Sequence, residues 1–214
     1  MGVSVYVMPL ENYLRGDFKT TWESREETAG KPGSRIAPEG LAGPPEPRAA
    51  ADVDIDVAVS LFCDQVETHA VRRPEWDADS TFRNASSLSY HSFGSACRRA
   101  QQWSYRVRLP RLERLVPPQI WLPMPFEPTI RVTAPWDRDA EVTAVSSVGL
   151  LSEFRRLQEL MTEDPLMVEL QALPDGSPLT GSLAEFDGEL FTLGHLRKLA
   201  ELSIEHHVPV IVEG

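Results

Sequence analysis

The stretch TAVSSVGLLSEFRRLQEL, Thr143 to Leu160, decides how this chain is read. It opens with small and β-branched residues, and Ser146-Ser147-Val148-Gly149 separates these from a different pattern. Leu150, Phe154, Leu157 and Met161 recur at i, i+4, i+7 and i+11. That spacing stacks four apolar side chains on one helix face, so the segment reads as strand, turn and helix, with that face in the core. The turn has the elements of an anion site, because a helix N-terminus offers free N–H groups and the positive end of the dipole. A phosphate loop uses several glycines and a lysine, whereas this turn has one glycine and no lysine. Ser147 as an ordinary N-cap, worth ~1 kcal/mol, accounts for it. Ser146 and Ser147 stand as the anion-site candidates.

Before this stretch, Ile130, Val132 and Ala134, then Val142 and Ala144, flank the turn-rich PWDRDA, which predicts a β-hairpin with a longer loop. Earlier still, VPPQIWLPMPFEP, Val116 to Pro128, has five prolines in thirteen positions. Proline cannot donate to a sheet ladder, so this segment is expected to be extended and not a central strand. Its Trp121, Met124 and Phe126 either bury against the domain, the more common outcome, or dock on another chain as candidate interface residues, since Trp and Met are enriched at protein–protein contacts.

After it, Asp164-Pro165 supplies a cap and a first-turn proline for a short helix toward Leu173, and Asp175-Gly176 reads as a turn. Thr192 is expected to cap the last helix, with Phe191 packing on Leu196. Leu193, Leu196, Ala200 and Ile204 would face inward, and Val208 to Val212 reads as a buried strand.

In the first half, alternating Val3, Val5 and Val7 predict a strand, followed by a short helix from Glu11 to Asp17. Residues 29–50 hold nine glycines and prolines in 22 positions and read as a loop or linker. Apolar residues at helical spacing predict helices over Asp54–Arg72 and Ser92–Tyr105, the second capped by Ser92. Together these elements predict one α+β domain over 1–214. Its sheet would be mixed and largely antiparallel, of four to five strands, with helices mainly packed on one face. The last helix and strand would cross over to an earlier parallel strand.

The net charge of −11 disfavours general affinity for nucleic acid or acidic membranes and suits a basic partner. No window approaches the ~18 uninterrupted apolar residues of a membrane span. The start has no basic-then-apolar export pattern, so a cytoplasmic location is expected. Only Lys19, Lys31 and Lys198 are lysine, a bias that with the many Arg, Ala and Pro reads as a GC-rich bacterial genome. Cys63 and Cys97 are too few for a disulfide framework and lie on apolar helix faces, where buried free thiols are expected.

Asp52, Asp54 and Asp56 resemble the start of a calcium loop, but Val57 and Cys63 stand where that loop needs Gly and Glu, so no metal is expected. Of five histidines, His206 and His207 are adjacent and cannot share one metal from a regular helix. Neither a metal nor a cofactor is assigned. His91, in SLSYHSFG, is the candidate acid or base of a small hydrolase-like enzyme that would use Ser146 or Ser147. The segment Cys97–Arg114 carries Arg98, Arg99, Arg106, Arg108, Arg111 and Arg114 against the single acid Glu113. Arginines interleaved with Trp103 and Tyr105 suit phosphate or nucleic-acid binding, but Trp103 falls on the helix's apolar face, so ion pairs with carboxylates of the chain or of an interface are the leading expectation for them. The leading expectation is a non-catalytic protein–protein interaction module, of the immunity or antagonist type, whose partner is a basic protein or a second copy.

Overall fold

A computed structural model describes residues 2–16, 41–42, 54–68, 82–104, 106–127, 129–174 and 177–214. Its centre is one sheet of seven strands: β1 (Gly2–Val7), β2 (Leu41–Ala42), β3 (Asn84–Ser89), β4 (Gln119–Leu122), β5 (Ile130–Ala134), β6 (Asp137–Ser146) and β7 (Val210–Glu213). Their order is β2-β3-β1-β7-β4-β6-β5. The helices are α1 (Leu10–Leu14), α2 (Ile55–Glu67), α3 (Tyr90–Ser104), α4 (Ser147–Met161), α5 (Pro165–Ala172) and α6 (Gly181–His206), with a 3-10 turn at Leu112–Arg114. The expected α+β class with a mixed sheet is what the chain adopts, with more strands than the four to five expected.

Period-two alternation sorts side chains to two faces of the sheet. Val3, Val5 and Val7 of β1, Trp121 of β4 and Val210 and Val212 of β7 join a core with α3, α4 and α6. Tyr6, Ile120, Leu122, Ile211 and Val142 point the other way, into a second core with α1 and α2. The centre of the sheet is therefore buried on both faces, and the larger helices gather on one of them. The decisive helix behaves as its spacing requires: Leu150, Phe154, Leu157 and Met161 of α4 are all buried. Full burial of each such side chain contributes about 1.5–3 kcal/mol.

β4 corrects the expectation for the proline-rich segment. Gln119–Leu122 is hydrogen-bonded to β6 on one side and β7 on the other, a central strand. Its four residues contain no proline; Pro118 and Pro123 lie just outside, so every N–H that the ladder needs is present. Buried Gln119 is satisfied locally: its Oε1 accepts from Trp121 Nε1 at 3.0 Å and its Nε2 donates to the Arg114 carbonyl.

β3 was not expected, since Asn and Ser are poor strand formers. It forms because Asn84 to Ser89 pair antiparallel with Val7 to Gly2 along the whole of β1. Leu41 and Ala42, inside the expected 29–50 loop, pair with Leu88 and Ser87, and the rest of that loop lies outside the described residues. β7 runs antiparallel to both β1 and β4, so the expected parallel crossover at the C-terminus is absent; β4 and β6 are the parallel pair. The hairpin has a tight turn at Pro135-Trp136 in place of a longer loop.

Caps shift by a few residues. α3 starts at Tyr90, and it is Ser89 Oγ, not Ser92, that accepts a backbone N–H, from Ser92 at 3.0 Å. α4 is capped by Ser146, whose Oγ accepts from Gly149 N at 3.0 Å. Thr192 is no cap, because α6 begins eleven residues earlier at Gly181 and Thr192 Oγ1 donates to Gly188 O at 2.9 Å inside the helix. Asp164 caps α5 through Leu166 N at 2.9 Å, with Pro165 in the first turn, as expected. α1 ends at Leu14, and α2 runs Ile55–Glu67, with 69–72 of its expected length outside the described residues.

Candidate functional site

The arginine segment divides in two. Arg99 leaves α3 to donate to Glu189 of α6 at 2.7 Å, lies 3.8 Å from Asp164 and stacks its guanidinium 5.1 Å from the Phe186 ring centroid. Arg111 is buried. Its Nη1 donates to Glu153 Oε1 at 2.7 Å, its Nη2 to Glu127, and its backbone N together with that of Leu112 to Glu153 Oε2 at 2.9 and 3.0 Å. Burial works against the charge on Arg111, and its hydrogen bonds to Glu127 and Glu153 outweigh it, holding the guanidinium above its ordinary pKa. Arg98, Arg106, Arg108 and Arg114 stay exposed. Arg98 donates to Ser95 Oγ at 2.7 Å, and Arg106 lies 4.5 Å from the centroid of Trp103, itself 6% exposed. The two arginines with ion-pair partners thus tie α3 and the 3-10 turn to α6 and α4, and the buried indole is no platform for a base.

The guanidinium of Arg111 also occupies the turn Ser146-Ser147-Val148-Gly149. A Cβ added at Gly149 would lie 2.3 Å from Arg111 Nε, so any larger residue there must displace the guanidinium. Ser146 Oγ donates to the Met124 carbonyl at 2.7 Å, and Ser147 Oγ pairs with Ser203 Oγ at 2.9 Å in the core. Both hydroxyls are thereby used internally. The proposed anion site at the α4 N-terminus is filled by the chain's own residues.

The remaining candidates also separate. His91 is exposed on the first turn of α3. His195 is hydrogen-bonded to Ser86 Oγ at 2.9 Å, and burial pushes its pKa down. His206 stacks on Phe82 with centroids 3.6 Å apart, and His207 takes the left-handed C-cap of α6 at φ 52°. Cys63 and Cys97 are both buried and are not joined in a disulfide, as expected. Cys97 Sγ donates to Leu115 O at 3.4 Å, and burial pushes its thiol up to about 12. Asp54 caps α2 by accepting from Val57 N at 3.2 Å, and Asp52 is outside the described residues. Trp121 is fully buried, and Met124 and Phe126, partly buried, pack against the second core, the first of the two uses expected for this segment.

Two surfaces were not anticipated. The outward side of α2 exposes Val57 and Leu61, 41% and 49% accessible, among Asp54, Asp56, Asp64 and Glu67. No lysine or arginine lies between Asp54 and Thr68. The signal was in the sequence, since Val57 and Leu61 fall off the stripe made by Ile55, Val59, Phe62 and Val66. The second is a cavity of about 320 Å³ among α4, α5 and α6, walled by Phe154, Leu157, Met161, Met167, Leu190 and Leu193. Gln158, Gly194 and Arg197 complete its lining. Three helices must pack to make it, so only Gly194 inside a helical pattern hinted at it.

Comparison with known protein families, with curated proteins and with solved structures finds no match to this chain. Among the described residues, no group of His, Cys, Asp and Glu is placed to hold a metal ion, and no helix is long and apolar enough to cross a membrane.

Proposed function

We propose that the chain is a non-catalytic binding module that engages a basic protein partner through the outward face of α2. The observation that carries this reading is an exposed apolar pair, Val57 and Leu61, set one helical turn apart among four carboxylates with no basic residue on the helix. Such a face complements a cationic surface with an apolar anchor. The carboxylates would steer the encounter, and the two apolar side chains would supply the contact that leaves water. The overall charge of −11 adds long-range attraction for a basic protein and repulsion for nucleic acid. An antagonist that neutralises a basic protein, as an immunity protein does, is the concrete form of this reading. Among the competing uses, the hydrolase-like one loses its serines to internal hydrogen bonds, and the nucleic-acid one loses its aromatic platform to the core.

The test compares the wild-type chain with Leu61→Asp and with the pair Asp56→Lys/Asp64→Lys as bait in lysate of the source cell, with and without nuclease. A basic protein held stoichiometrically by the wild type should be lost from both variants. A buried apolar anchor of this kind typically carries about 2 kcal/mol, roughly 30-fold in affinity. Retention of every partner by both variants would remove this face from consideration. Recovery of nucleic acid only without nuclease would transfer the assignment to Arg98, Arg106, Arg108 and Arg114.

A further inference from the structure

Independently of the α2 face, we propose that the cavity among α4, α5 and α6 binds a small amphipathic monocarboxylate. Its apolar tail would lie against Phe154, Leu157, Met161 and Met167, and its carboxylate would meet Arg197. The volume of about 320 Å³ falls at the lower end of ligand-pocket sizes. At ~30 Å³ per water-sized group it holds roughly ten non-hydrogen atoms, the size of a short fatty acid or an aryl acetate. An apolar space of this kind between packed helices costs stability by forfeiting dispersion contacts, a loss that a fitting ligand would recover.

Arg197 gives the ligand its charge. It lines the cavity with a side chain 36% exposed, so its charge reaches water while its stem stays on the wall. Its Nη1 donates to Gln158 Oε1, whereas its Nε is buried without a hydrogen bond. Glu201 Oε1 stands 3.5 Å from that Nε, an i,i+4 ion pair that lacks hydrogen-bond geometry, and Glu201 also lies 3.8 Å from Lys198. Two cations therefore share one carboxylate here. The exposed part of the guanidinium can still donate to a second carboxylate, the partner whose geometry it favours.

Gly194 lines the cavity without adding a side chain to it. It sits inside the 26 residues of α6, where glycine is about 1 kcal/mol worse than alanine. Its φ is not positive, and an added Cβ would meet nothing within 4 Å. No backbone demand of the helix therefore calls for glycine. Gly188 has the same freedom but does not line the cavity, so the assignment rests on Gly194 together with the apolar walls and Arg197.

The experiment is isothermal titration of the full chain with hexanoate, octanoate, phenylacetate and 1-octanol, alongside thermal unfolding in each. Octanoate or phenylacetate should bind one per chain and raise Tm with concentration. Gly194→Leu, which adds a bulky side chain to the lining and favours the helix, should abolish binding while leaving Tm equal or higher. Arg197→Met should weaken carboxylate binding at least tenfold and leave 1-octanol binding unchanged. The proposal is overturned if no acid in the series binds below 5 mM, if Gly194→Leu binds like the wild type, or if Arg197→Met retains full affinity for the acids.

Discussion

Replacing Glu153 with alanine should unfold this protein well before any surface substitution does. The carboxylate is 8% exposed and accepts from the backbone N–H groups of Arg111 and Leu112, at 2.9 and 3.0 Å, and from Arg111 Nη1 at 2.7 Å. Removing it leaves the guanidinium, 10% exposed, with Glu127 on its solvent side and the Phe126 carbonyl at 3.4 Å. Breaking a buried pair by deleting one partner costs about 3–5 kcal/mol, and each orphaned backbone N–H adds about 1 kcal/mol or more. Glu127 offsets part of this, so about 3–5 kcal/mol is expected, against a typical total stability of about 5–15 kcal/mol. In a chain of this size that corresponds to roughly 6–20 °C in Tm. Glu153→Gln should lose roughly half as much, because the amide oxygen still accepts from the two backbone donors.

Gly149→Ala supplies the second arm of a cycle. Its Cβ would stand 2.3 Å from Arg111 Nε and force the guanidinium away from Glu153. The loss in Gly149→Ala should therefore overlap that in Glu153→Ala, and the double variant should fall short of the sum by 1 kcal/mol or more. Urea unfolding followed by circular dichroism measures all four proteins. A loss under 1 kcal/mol for Glu153→Ala, or strict additivity in the cycle, would refute the idea that this network clamps the 3-10 turn onto α4.

Two further outcomes follow from buried titratable groups. The pKa of His195 lies below its ordinary 6.5 because of burial, so the folded protein resists a proton that the unfolded chain accepts. Its contribution is complete above pH 6.5 and declines as pH falls from there toward the folded pKa. In urea unfolding across pH 5–8, His195→Gln should flatten that decline, by at most about 1.4 kcal/mol per pH unit; an unchanged slope contradicts it. The thiol of Cys97, pushed up to about 12, should not react with iodoacetamide at pH 8 in the native protein and should react on unfolding. Alkylation of the native protein at a free-cysteine rate, located by peptide mass spectrometry, would show that Cys97 is not held as described.

Much of the candidate site was illegible for a geometric reason. The arginine density between Cys97 and Arg114 was visible, but which guanidinium meets which carboxylate depends on partners 42 and 90 residues away in the chain. Glu153 gave no sign of its role, since a glutamate within an amphipathic helix ordinarily faces water. The acidic, partly apolar face of α2 was written in the sequence and masked there by the stronger stripe of residues that the helix buries. The cavity at Gly194 exists only where α4, α5 and α6 converge.

By itself the sequence determined the elements whose reason is local. Four apolar residues at helical spacing made α4, Asp164-Pro165 began α5, and the paired runs around PWDRDA made the hairpin, because period and capping act within one or two turns of chain. Tertiary structure alone decided the rest. Asn84–Ser89 became a strand by pairing along β1 against its own weak propensity, and Gln119–Leu122 was drawn to the sheet centre despite its flanking prolines. Backbone donors and acceptors in a buried sheet must be paired, and distant strands met that demand where local preference was silent or opposed.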